Sequence, residues 1–332
     1  MRLNKNIKIF INYFLGPLLF IWLAWSLYRE IKNQPHLKSA WQHILQSFHS
    51  PLLWNLVAAI VLMIINWSIE AIKWRLSIKE IQKVSFLKAF KAVLSGVSFS
   101  VSTPNRIGEY LGRLLYMNEG NRLKTISITI VGNLSQLIIT LITGCIGIIV
   151  LFPKIGGTQI ISSIGVKVIL YGVIAVLLVL TLFYFRLPLL IKWIDRLPGS
   201  RRYAYLVNAL EDFNATLLLQ LLSLSAARFI VFIVQYYLLF RLFDVQVSWW
   251  QVFWTISVSF LILAIIPTIA LIELFQRRMV VTTLVGVYSA NELGITFTTA
   301  GIWFINLIVP AIIGSLLILS IKKIFTNKDE KT

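Results

Sequence analysis

A short apolar run, interrupted by a proline and then by charges, most constrains how this chain folds. Residues 92–101 make up about half of the ~20 residues that a membrane-spanning helix needs, so this run enters a membrane without crossing it. Pro104 removes a backbone donor and ends the incoming helix. Arg106, Glu109 and Arg113 follow, with Glu109 and Arg113 four residues apart on one helical face. Charged side chains at membrane depth are costly and are therefore functional candidates.

A similar pattern occurs once more, in the second half of the chain. Pro267 is followed by a short apolar step, by Glu273, and by Arg277 four residues later. Two related motifs in opposite halves of a hydrophobic chain indicate an internal duplication. We therefore predict two re-entrant helical hairpins, at residues 92–124 and 248–290.

These two motifs resemble those of the lysylphosphatidylglycerol synthase transmembrane-region family, the flippase-like membrane proteins. The resemblance rests on a Pro-x-Arg-x-Gly-Glu segment that begins at Pro104 and on a Pro-Thr-Ile-Ala-x-x-Glu segment that begins at Pro267. It covers most of the chain, although the second motif lacks the glycine-rich form that many members carry. The resemblance implies movement of an anionic, phosphate-bearing phospholipid or polyprenyl-type lipid between leaflets.

The composition is that of an integral membrane protein. The 332 residues are 58% hydrophobic and 13% charged, whereas a soluble domain carries about 25% charged residues. The net charge of +18 is typical of a membrane protein with basic cytoplasmic loops. Because no basic soluble domain is present, we expect no nucleic-acid partner. We predict a single membrane domain over residues 1–332, and we assign no oligomeric state.

The distribution of basic residues predicts the topology. Residues 71–91 carry six Lys and Arg against one acid, Glu80, and are predicted to be cytoplasmic, whereas residues 291–300 carry none and are predicted to be external. We predict an all-α polytopic protein in the cell (inner) membrane, with both termini inside. Its hairpins enter from opposite sides, as in an inverted repeat; eight full crossings are the alternative. The six predicted spans are residues 9–28, 51–69, 125–152, 166–185, 215–240 and 301–321.

The first motif supplies the strongest candidates for substrate binding. Arg106 and Arg113 each offer a planar fork that matches phosphate oxygens, and Glu109 orients an arginine or carries a proton. The alternative is a buried ion pair that holds a broken helix together. Gly108 and Gly112 allow a neighbouring helix to approach closely, or serve packing alone.

Charges elsewhere at membrane depth extend this candidate site. Arg228 lies near the middle of the fifth predicted span, where Glu109 or Glu273 is its natural partner. Glu273 and Arg277 form the second cluster; the alternative for Arg277 and Arg278 is an interfacial position. Across both clusters five arginines face two glutamates, and the surplus of three positive charges favours an anionic headgroup. The five arginines are Arg106, Arg113, Arg228, Arg277 and Arg278.

A polar stripe runs along the third predicted span. Thr129, Asn133, Gln136 and Thr140 recur at helical spacing. Such a stripe either lines a headgroup path or makes hydrogen bonds between helices, and we favour helix packing.

Three classes of function remain open. A lipid transporter ranks first. An intramembrane enzyme acting on lipid phosphates, similar to a polyprenyl-diphosphate phosphatase, ranks second because the sequence lacks a Ser-Arg-Ser-Gly loop and a histidine placed as nucleophile. Aminoacyl transfer is less favoured, because the resembled synthases perform it in an appended soluble domain. The third class is a structural partner in an envelope complex. We assign no catalytic residue, no metal and no cofactor.

Overall fold

The computed structural model describes residues 42, 45–47, 50–101, 103, 107–155, 163–186, 210, 213–266 and 270–329. The first predicted span, residues 9–28, lies outside this described part, as do Pro104, Arg106 and Pro267. Every regular element among the described residues is a helix, in agreement with the predicted all-α class. In chain order the helices are α1 (Leu53–Ser77), α2 (Phe86–Val101), α3 (Gly108–Leu114), α4 (Arg122–Ile155), α5 (Ser163–Phe185), α6 (Ala215–Leu242), α7 (Trp249–Ile265), α8 (Ala270–Val285), α9 (Glu292–Trp303) and α10 (Val309–Asp329). A π-helical turn, Phe304–Ile308, joins α9 to α10.

Helices that are long and apolar enough to cross a membrane occur at five of the six predicted spans. Among the described residues these are Leu53–Ser77, Glu119–Pro153, Ile164–Phe185, Ala215–Leu242 and Glu292–Ser320. The protein is therefore a multi-pass membrane protein.

Two predicted boundaries are wrong. The second span was predicted to end at residue 69, but α1 continues to Ser77 and buries Glu70 and Lys73. It continues because these two side chains form an ion pair one turn apart, which lowers the cost of burying either charge. The last span was predicted to begin at residue 301, but the apolar helical stretch begins at Glu292, where the Asn291 side chain caps α9. Absence of Lys and Arg marks a side of the membrane and says nothing about conformation.

The first motif forms a helical hairpin made of α2 and α3, here called the first hairpin. Helix α2 has 16 residues, about 24 Å at 1.5 Å per residue, which is shorter than a ~30 Å hydrocarbon core. Helix α3 returns directly along it, so that a Cβ on Gly112 would lie 2.2 Å from the Gly96 nitrogen. A Cβ on Gly108 would lie 2.3 Å from the Phe99 carbonyl carbon. Both predicted glycines therefore serve close approach, and the neighbouring helix is the other arm of their own hairpin.

A threonine closes the described part of the tip of this hairpin. The Thr103 hydroxyl accepts a hydrogen bond from the Gly108 backbone N–H over 2.8 Å. It also donates to the Phe99 carbonyl in the last turn of α2, over 3.2 Å. One side chain thus connects the end of α2 to the start of α3.

The second motif forms a similar hairpin from α7 and α8, here called the second hairpin. Helix α7 begins with a capping box in which Ser248 and Gln251 each bind the other's backbone N–H. It packs tightly on α4 at Gly144, where a Cβ would lie 2.5 Å from the Leu261 Cβ atom. The second hairpin is thereby held against the helix that follows the first hairpin.

The order of helices and their packing both repeat. A long helix, two short helices and a long helix occur as α1–α4 and again from α6 to α10, with α5 between the two halves. Helices α1 and α6 pack on each other, α2 packs on α10, and α7 packs on α4. Each hairpin therefore packs against the last long helix of the other half. This reciprocal packing supports the predicted internal duplication.

Candidate functional site

A buried glutamate that the sequence analysis overlooked lies at the centre of the site. Glu70 of α1 is only 2% exposed and is surrounded by three cations. Its Oε1 lies 2.9 Å from Arg113 Nη2 of α3, and its Oε2 lies 2.9 Å from Lys73 Nζ. Arg228 of α6 donates from Nη1 to Oε2 as well. We call Glu70, Lys73, Arg113, Arg228 and the adjacent Glu109 the charge cluster.

Helix α1 positions Arg228 through contacts from Asn66, Trp67 and Glu70. Asn66, one turn before Glu70, accepts a hydrogen bond from Arg228 Nε through its Oδ1 over 2.9 Å. The Arg228 guanidinium carbon also lies 5.5 Å from the centre of the Trp67 ring, within the range of a cation–π contact. Its natural partner was predicted to be Glu109 or Glu273, and that prediction is wrong. Arg228 binds Glu70 instead, because α1 and α6 pack along their length.

The predicted ion pair of the first motif is present, but Arg113 lies closer to Glu70 than to Glu109. Arg113 Nη2 lies 3.6 Å from Glu109 Oε2, compared with 2.9 Å from Glu70 Oε1. Arg113 Nε is buried and has no hydrogen-bond partner among the described residues. An arginine with one unused N–H is able to donate a hydrogen bond to a further oxygen.

The second motif forms a closer pair. Arg277 Nη2 binds Glu273 Oε1, and Arg277 Nη1 donates to the Tyr236 hydroxyl of α6 over 3.3 Å. The guanidinium carbon lies 5.8 Å from the centre of the Phe260 ring. Arg277 Nε, like the Nε of Arg113, is buried and unpartnered among the described residues. Arg278 points elsewhere and donates to Thr296 Oγ1 of α9 over 3.0 Å.

One cavity of about 640 Å³ joins the two motifs, and we call it the central cavity. Helix α3 contributes Glu109 and Arg113 to its wall, and α8 contributes Glu273 and Arg277. Five of the six predicted substrate-binding residues therefore line one space; the sixth, Arg106, lies outside the described residues. The lining ionisable groups of the charge cluster and second motif are Glu70, Glu109, Arg113, Arg228, Glu273 and Arg277.

The charges on this wall are balanced. Three carboxylates, Glu70, Glu109 and Glu273, face three guanidinium groups. Among the described residues that line the cavity there is therefore no surplus of positive charge; Arg106, one of the five arginines counted from the sequence, lies outside them. Glu70 alone contacts three cations, so the charge cluster of three cations and two carboxylates keeps a net charge of +1.

The polar stripe on α4 also faces the central cavity. Asn133, Gln136 and Thr140 line it, and Asn133 Nδ2 donates to the Tyr110 hydroxyl over 3.3 Å. Asn133 fits both alternatives, because it lines the cavity and its hydrogen bond to Tyr110 joins α4 to α3. Gln136 and Thr140 line the cavity, for which helix packing was not the better prediction. Thr129 does not line the cavity, and its buried hydroxyl donates to the Thr125 carbonyl of its own helix.

Most of the remaining lining residues are apolar. Two phenylalanines of α6, Phe229 and Phe232, face Phe260 of α7 and the residues before the break in the second hairpin. Charged groups together with aromatic and aliphatic side chains in one lining make the cavity amphipathic. Ligand sites in proteins combine these features, with a few polar groups placed in a mostly apolar wall.

The spacing of Glu70 and Lys73 in the sequence could have indicated that the helix continues past residue 69. They stand three residues apart at the end of an apolar run, where paired charges are able to stay inside a helix. The second predicted span ends directly before Glu70, the first charged residue, and Lys73 therefore falls in the segment predicted to be cytoplasmic.

Comparison with known proteins agrees with this architecture. No curated protein sequence matches the chain significantly. A family model does match: the one described as the lysylphosphatidylglycerol synthase TM region covers residues 13–314, which is most of the chain. Both motifs, the charge cluster and every residue that lines the central cavity fall inside that match. The chain therefore belongs to the lysylphosphatidylglycerol synthase TM region family.

Proposed function

We propose that the protein moves a lipid with an anionic, phosphate-bearing headgroup between the two leaflets of a membrane. The observation that carries this proposal is the central cavity, because the glutamate and arginine of both hairpin motifs line it. A shared site between two duplicated halves is typical of transporters that alternate access around a fixed site. Membership of a family connected with lipid handling supports the same conclusion.

In this proposal Arg113 and Arg277 bind the headgroup. Arg113 and Arg277 each keep an unused Nε donor next to an engaged Nη group, which is the edge that binds two phosphate oxygens in parallel. The contact between Arg113 and Glu109, at 3.6 Å, is longer than the 2.9 Å contact between Arg113 and Glu70. A phosphate oxygen therefore replaces Glu109 at a low cost in lost Coulomb energy.

The apolar wall accommodates the lipid beyond its headgroup. Phe229, Phe232 and Phe260 contribute aromatic rings to the lining of the cavity. Acyl carbons next to a phosphate ester bury favourably on such a surface. The walls of the cavity therefore match the two chemical halves of a phospholipid.

The two hairpins provide the moving parts in this proposal. Both contain helices of 16 or 17 residues, too short to cross a ~30 Å core upright, and both bring a glutamate and an arginine to the cavity. We infer that they are re-entrant and enter from opposite faces, as part of a six-span protein in the cell membrane with both termini in the cytoplasm. Opening one hairpin then exposes the cavity to one leaflet.

An enzyme that acts on lipid phosphates is the less favoured alternative. Among the described residues that line the central cavity there is no serine, cysteine or histidine to serve as a nucleophile. Lys73 and Ser225 lie 3.4 Å apart, like a general base and its nucleophile, but neither lines the cavity. Buried away from the site, this pair does not reach a substrate there.

Reconstitution of the full-length protein in liposomes tests the proposal. Fluorescently labelled phosphatidylglycerol in one leaflet is quenched by an impermeant reductant, and labelled phosphatidylcholine serves as the zwitterionic comparison. We expect the protein to speed movement of phosphatidylglycerol more than tenfold over protein-free liposomes. Arg113→Ala is expected to abolish this gain. Arg122→Ala, which changes an exposed arginine on α4, is the matched control and keeps it.

Two results would decide against transport of this lipid class. Failure of labelled phosphatidylglycerol and of a labelled polyprenyl phosphate to move faster than in protein-free liposomes, with the protein folded, removes the proposal. Release of inorganic phosphate from either lipid would favour the enzymatic alternative.

A further inference from the structure

The residues that line the central cavity carry buried polar atoms of two kinds that have no hydrogen-bond partner among the described residues. Some are N–H donors: Nε of Arg113, Nε of Arg277 and Nε1 of Trp67. The others are acceptors, the side-chain amide oxygens of Gln136 and Asn306. A phosphodiester group carries acceptor oxygens and no N–H or O–H, so it satisfies the donors only. The two amide oxygens therefore require a different part of the ligand.

The side-chain amide of Asn306 has a fixed orientation. Its Nδ2 donates to the Ile302 carbonyl, one turn earlier in the chain, over 3.1 Å. Because only the amide nitrogen is able to donate to a carbonyl, this bond identifies the other amide atom as the oxygen. Asn306 is 7% exposed, and this Oδ1 is buried without a partner among the described residues. The oxygen is therefore an acceptor that the protein itself leaves unused.

The backbone around Asn306 departs from α-helical geometry at the cavity. Asn306 lies in the π-helical turn that joins α9 to α10. Pro310, four residues later, lacks the N–H that would bind the Asn306 carbonyl in a regular α-helix. Ile302, Trp303 and Leu307, in or next to this turn, line the cavity as well. Since π-helical turns are rare and frequently lie at functional sites, the turn is a second observation that indicates ligand binding at Asn306.

Gln136 brings the other amide oxygen from the first half of the chain. It belongs to the polar stripe on α4, and its Oε1 is buried without a partner among the described residues. Each half of the chain therefore supplies one arginine with an unused Nε and one unused amide oxygen. The first half supplies Arg113 and Gln136, and the second half supplies Arg277 and Asn306. The same two kinds of group thus occur in both halves of the duplication.

We propose that Asn306 and Gln136 accept hydrogen bonds from headgroup hydroxyls and thereby select lipids whose phosphate carries a glycerol or a sugar. This inference rests on the proposed function, in which the arginines bind the phosphate. A headgroup that enters the cavity displaces water from the two oxygens and must replace the hydrogen bonds that are lost. A hydroxyl replaces them, whereas a methyl ester or a quaternary ammonium has no N–H or O–H to donate. Lipids of equal charge are therefore distinguished by their hydroxyls.

The chemistry of the two acceptors favours a hydroxyl over an ammonium group. Both acceptors are uncharged amide oxygens, which match an uncharged donor. An ammonium group is matched by a carboxylate, because the hydrogen bond is then strengthened by opposite charges. Glu70, Glu109 and Glu273 are the carboxylates of the lining, and each of them already pairs with an arginine. The acceptors that remain are therefore those suited to a polyol.

Binding of three short-chain lipids to the purified full-length protein in detergent tests the inference. Phosphatidylglycerol carries hydroxyls, phosphatidylmethanol has the same single negative charge and none, and phosphatidylethanolamine carries an ammonium group. The rise in melting temperature with lipid concentration gives each dissociation constant. We expect phosphatidylglycerol to bind about tenfold more tightly than phosphatidylmethanol, because a buried acceptor left without a donor weakens binding by roughly that factor.

Two variants assign this preference to the amide oxygens. Gln136→Met and Asn306→Leu each replace an amide with an apolar side chain of similar size. Both are expected to weaken binding of phosphatidylglycerol and to leave that of phosphatidylmethanol unchanged, so the ratio of the two dissociation constants falls towards one. A purely structural role would change both constants together. Gln246→Met, at an exposed position between α6 and α7, is the matched control and keeps the wild-type ratio. Because Asn306→Leu also loses the bond to the Ile302 carbonyl, Gln136→Met carries the test if that variant does not fold.

The outcomes separate this selectivity from the proposed function. Equal binding of phosphatidylglycerol and phosphatidylmethanol by the wild type overturns the inference without relying on any variant, and lipid movement in liposomes then still supports transport. Tighter binding of phosphatidylethanolamine than of phosphatidylglycerol assigns the oxygens to an ammonium group and overturns the inference as well. So does a wild-type ratio in Gln136→Met and Asn306→Leu, shown to be folded by gel filtration. A preference that the variants lose, with no lipid movement in the wild type, supports the inference and removes transport.

Discussion

The Glu70 carboxylate of α1 accepts a hydrogen bond from the Arg228 guanidinium of α6, across the contact between the two halves of the chain. These residues are 158 positions apart in the sequence, and both are almost completely buried. Arg113 of the first hairpin binds the other oxygen of the same carboxylate. One side chain therefore connects the first long helix, the first hairpin and the second half of the chain.

Glu70→Gln is expected to destabilise the protein severely. The amide removes the negative charge that three buried cations share, and breaking a buried ion pair from one side costs about 3–5 kcal/mol. We expect a lower melting temperature in detergent, measured by intrinsic fluorescence, together with loss of lipid movement. Glu80→Gln, ten residues further on and exposed, is the control and is expected to leave both unchanged. A Glu70→Gln protein with the wild-type melting temperature would show that Glu70 does not hold the cluster together.

Glu109 and Arg113 are expected to differ in their effect on stability. Arg113 is 2.9 Å from Glu70 and 3.6 Å from Glu109, so removing Glu109 leaves Arg113 with its closer partner. Glu109→Gln is therefore expected to melt within a few degrees of the wild type. Arg113→Gln, which leaves Glu70 with one cation fewer, is expected to melt at a clearly lower temperature. Equal destabilisation by the two single variants would mean that they act as an isolated structural pair.

Lipid movement by the variant with both changes separates architecture from binding. If Glu109 and Arg113 bind the headgroup, the Glu109→Gln, Arg113→Gln variant does not move labelled phosphatidylglycerol even when it is folded. A stable double variant that still moves this lipid would assign both residues to architecture alone.

Local features of the sequence predicted the hairpins and their ion pairs. A proline after a run too short to cross a membrane ends a helix wherever the run lies, and a glutamate four residues before an arginine shares its helical face. The two predicted glycines followed from the same kind of local reasoning. These features depend on neighbours within one or two turns, so they are readable without the fold.

The centre of the site depends on contacts between distant residues and was not predictable in the same way. Arg113 lies 43 positions from Glu70, and the apolar run before Glu70 gives no sign of the cations that later surround it. The stripe on α4 shows the same limit: Asn133 and Gln136 look alike whether they bind another helix or face a cavity. Which of these occurs depends on where the first hairpin packs against α4.

Arg277→Lys is expected to lose lipid movement while the protein stays folded. The guanidinium binds Glu273 and Tyr236 at the same time and lies over the Phe260 ring, and a lysine ammonium does not reproduce that fork. We expect the initial rate of phosphatidylglycerol movement to fall at least tenfold. Arg241→Lys, at the exposed end of α6, is the matched control. An Arg277→Lys protein with the wild-type rate would show that a point charge is sufficient at this position.

The predicted topology is testable with single cysteines in a Cys145→Ala background, since Cys145 is buried in α4. Glu80 and Val287 are both exposed, and Val287 lies in the connection between α8 and α9. We expect an impermeant maleimide to label a cysteine at position 287 in intact cells and one at position 80 only after permeabilisation. The opposite pattern would reverse the assigned orientation. Position 295 is unsuitable for this test, because Ile295 is 0% exposed inside α9.

The first hairpin is expected to tolerate no side chain at Gly112. A Cβ there would lie 2.2 Å from the Gly96 nitrogen and 2.4 Å from the Gly96 Cα atom. Because these are backbone atoms, rotation of a side chain does not relieve the overlap, and α3 must move away from α2. Overpacking of this kind costs about 1–3 kcal/mol or more, so Gly112→Ala is expected to lower the melting temperature.

Since α3 carries Glu109 and Arg113, the same shift displaces both from the central cavity, and lipid movement is expected to fall with stability. Gly120→Ala is the control, because a Cβ at Gly120 meets nothing within 4 Å. If Gly112→Ala and Gly120→Ala melt at the same temperature, α3 does not lie against α2 in the membrane, and the hairpin that places both residues at the cavity is wrong.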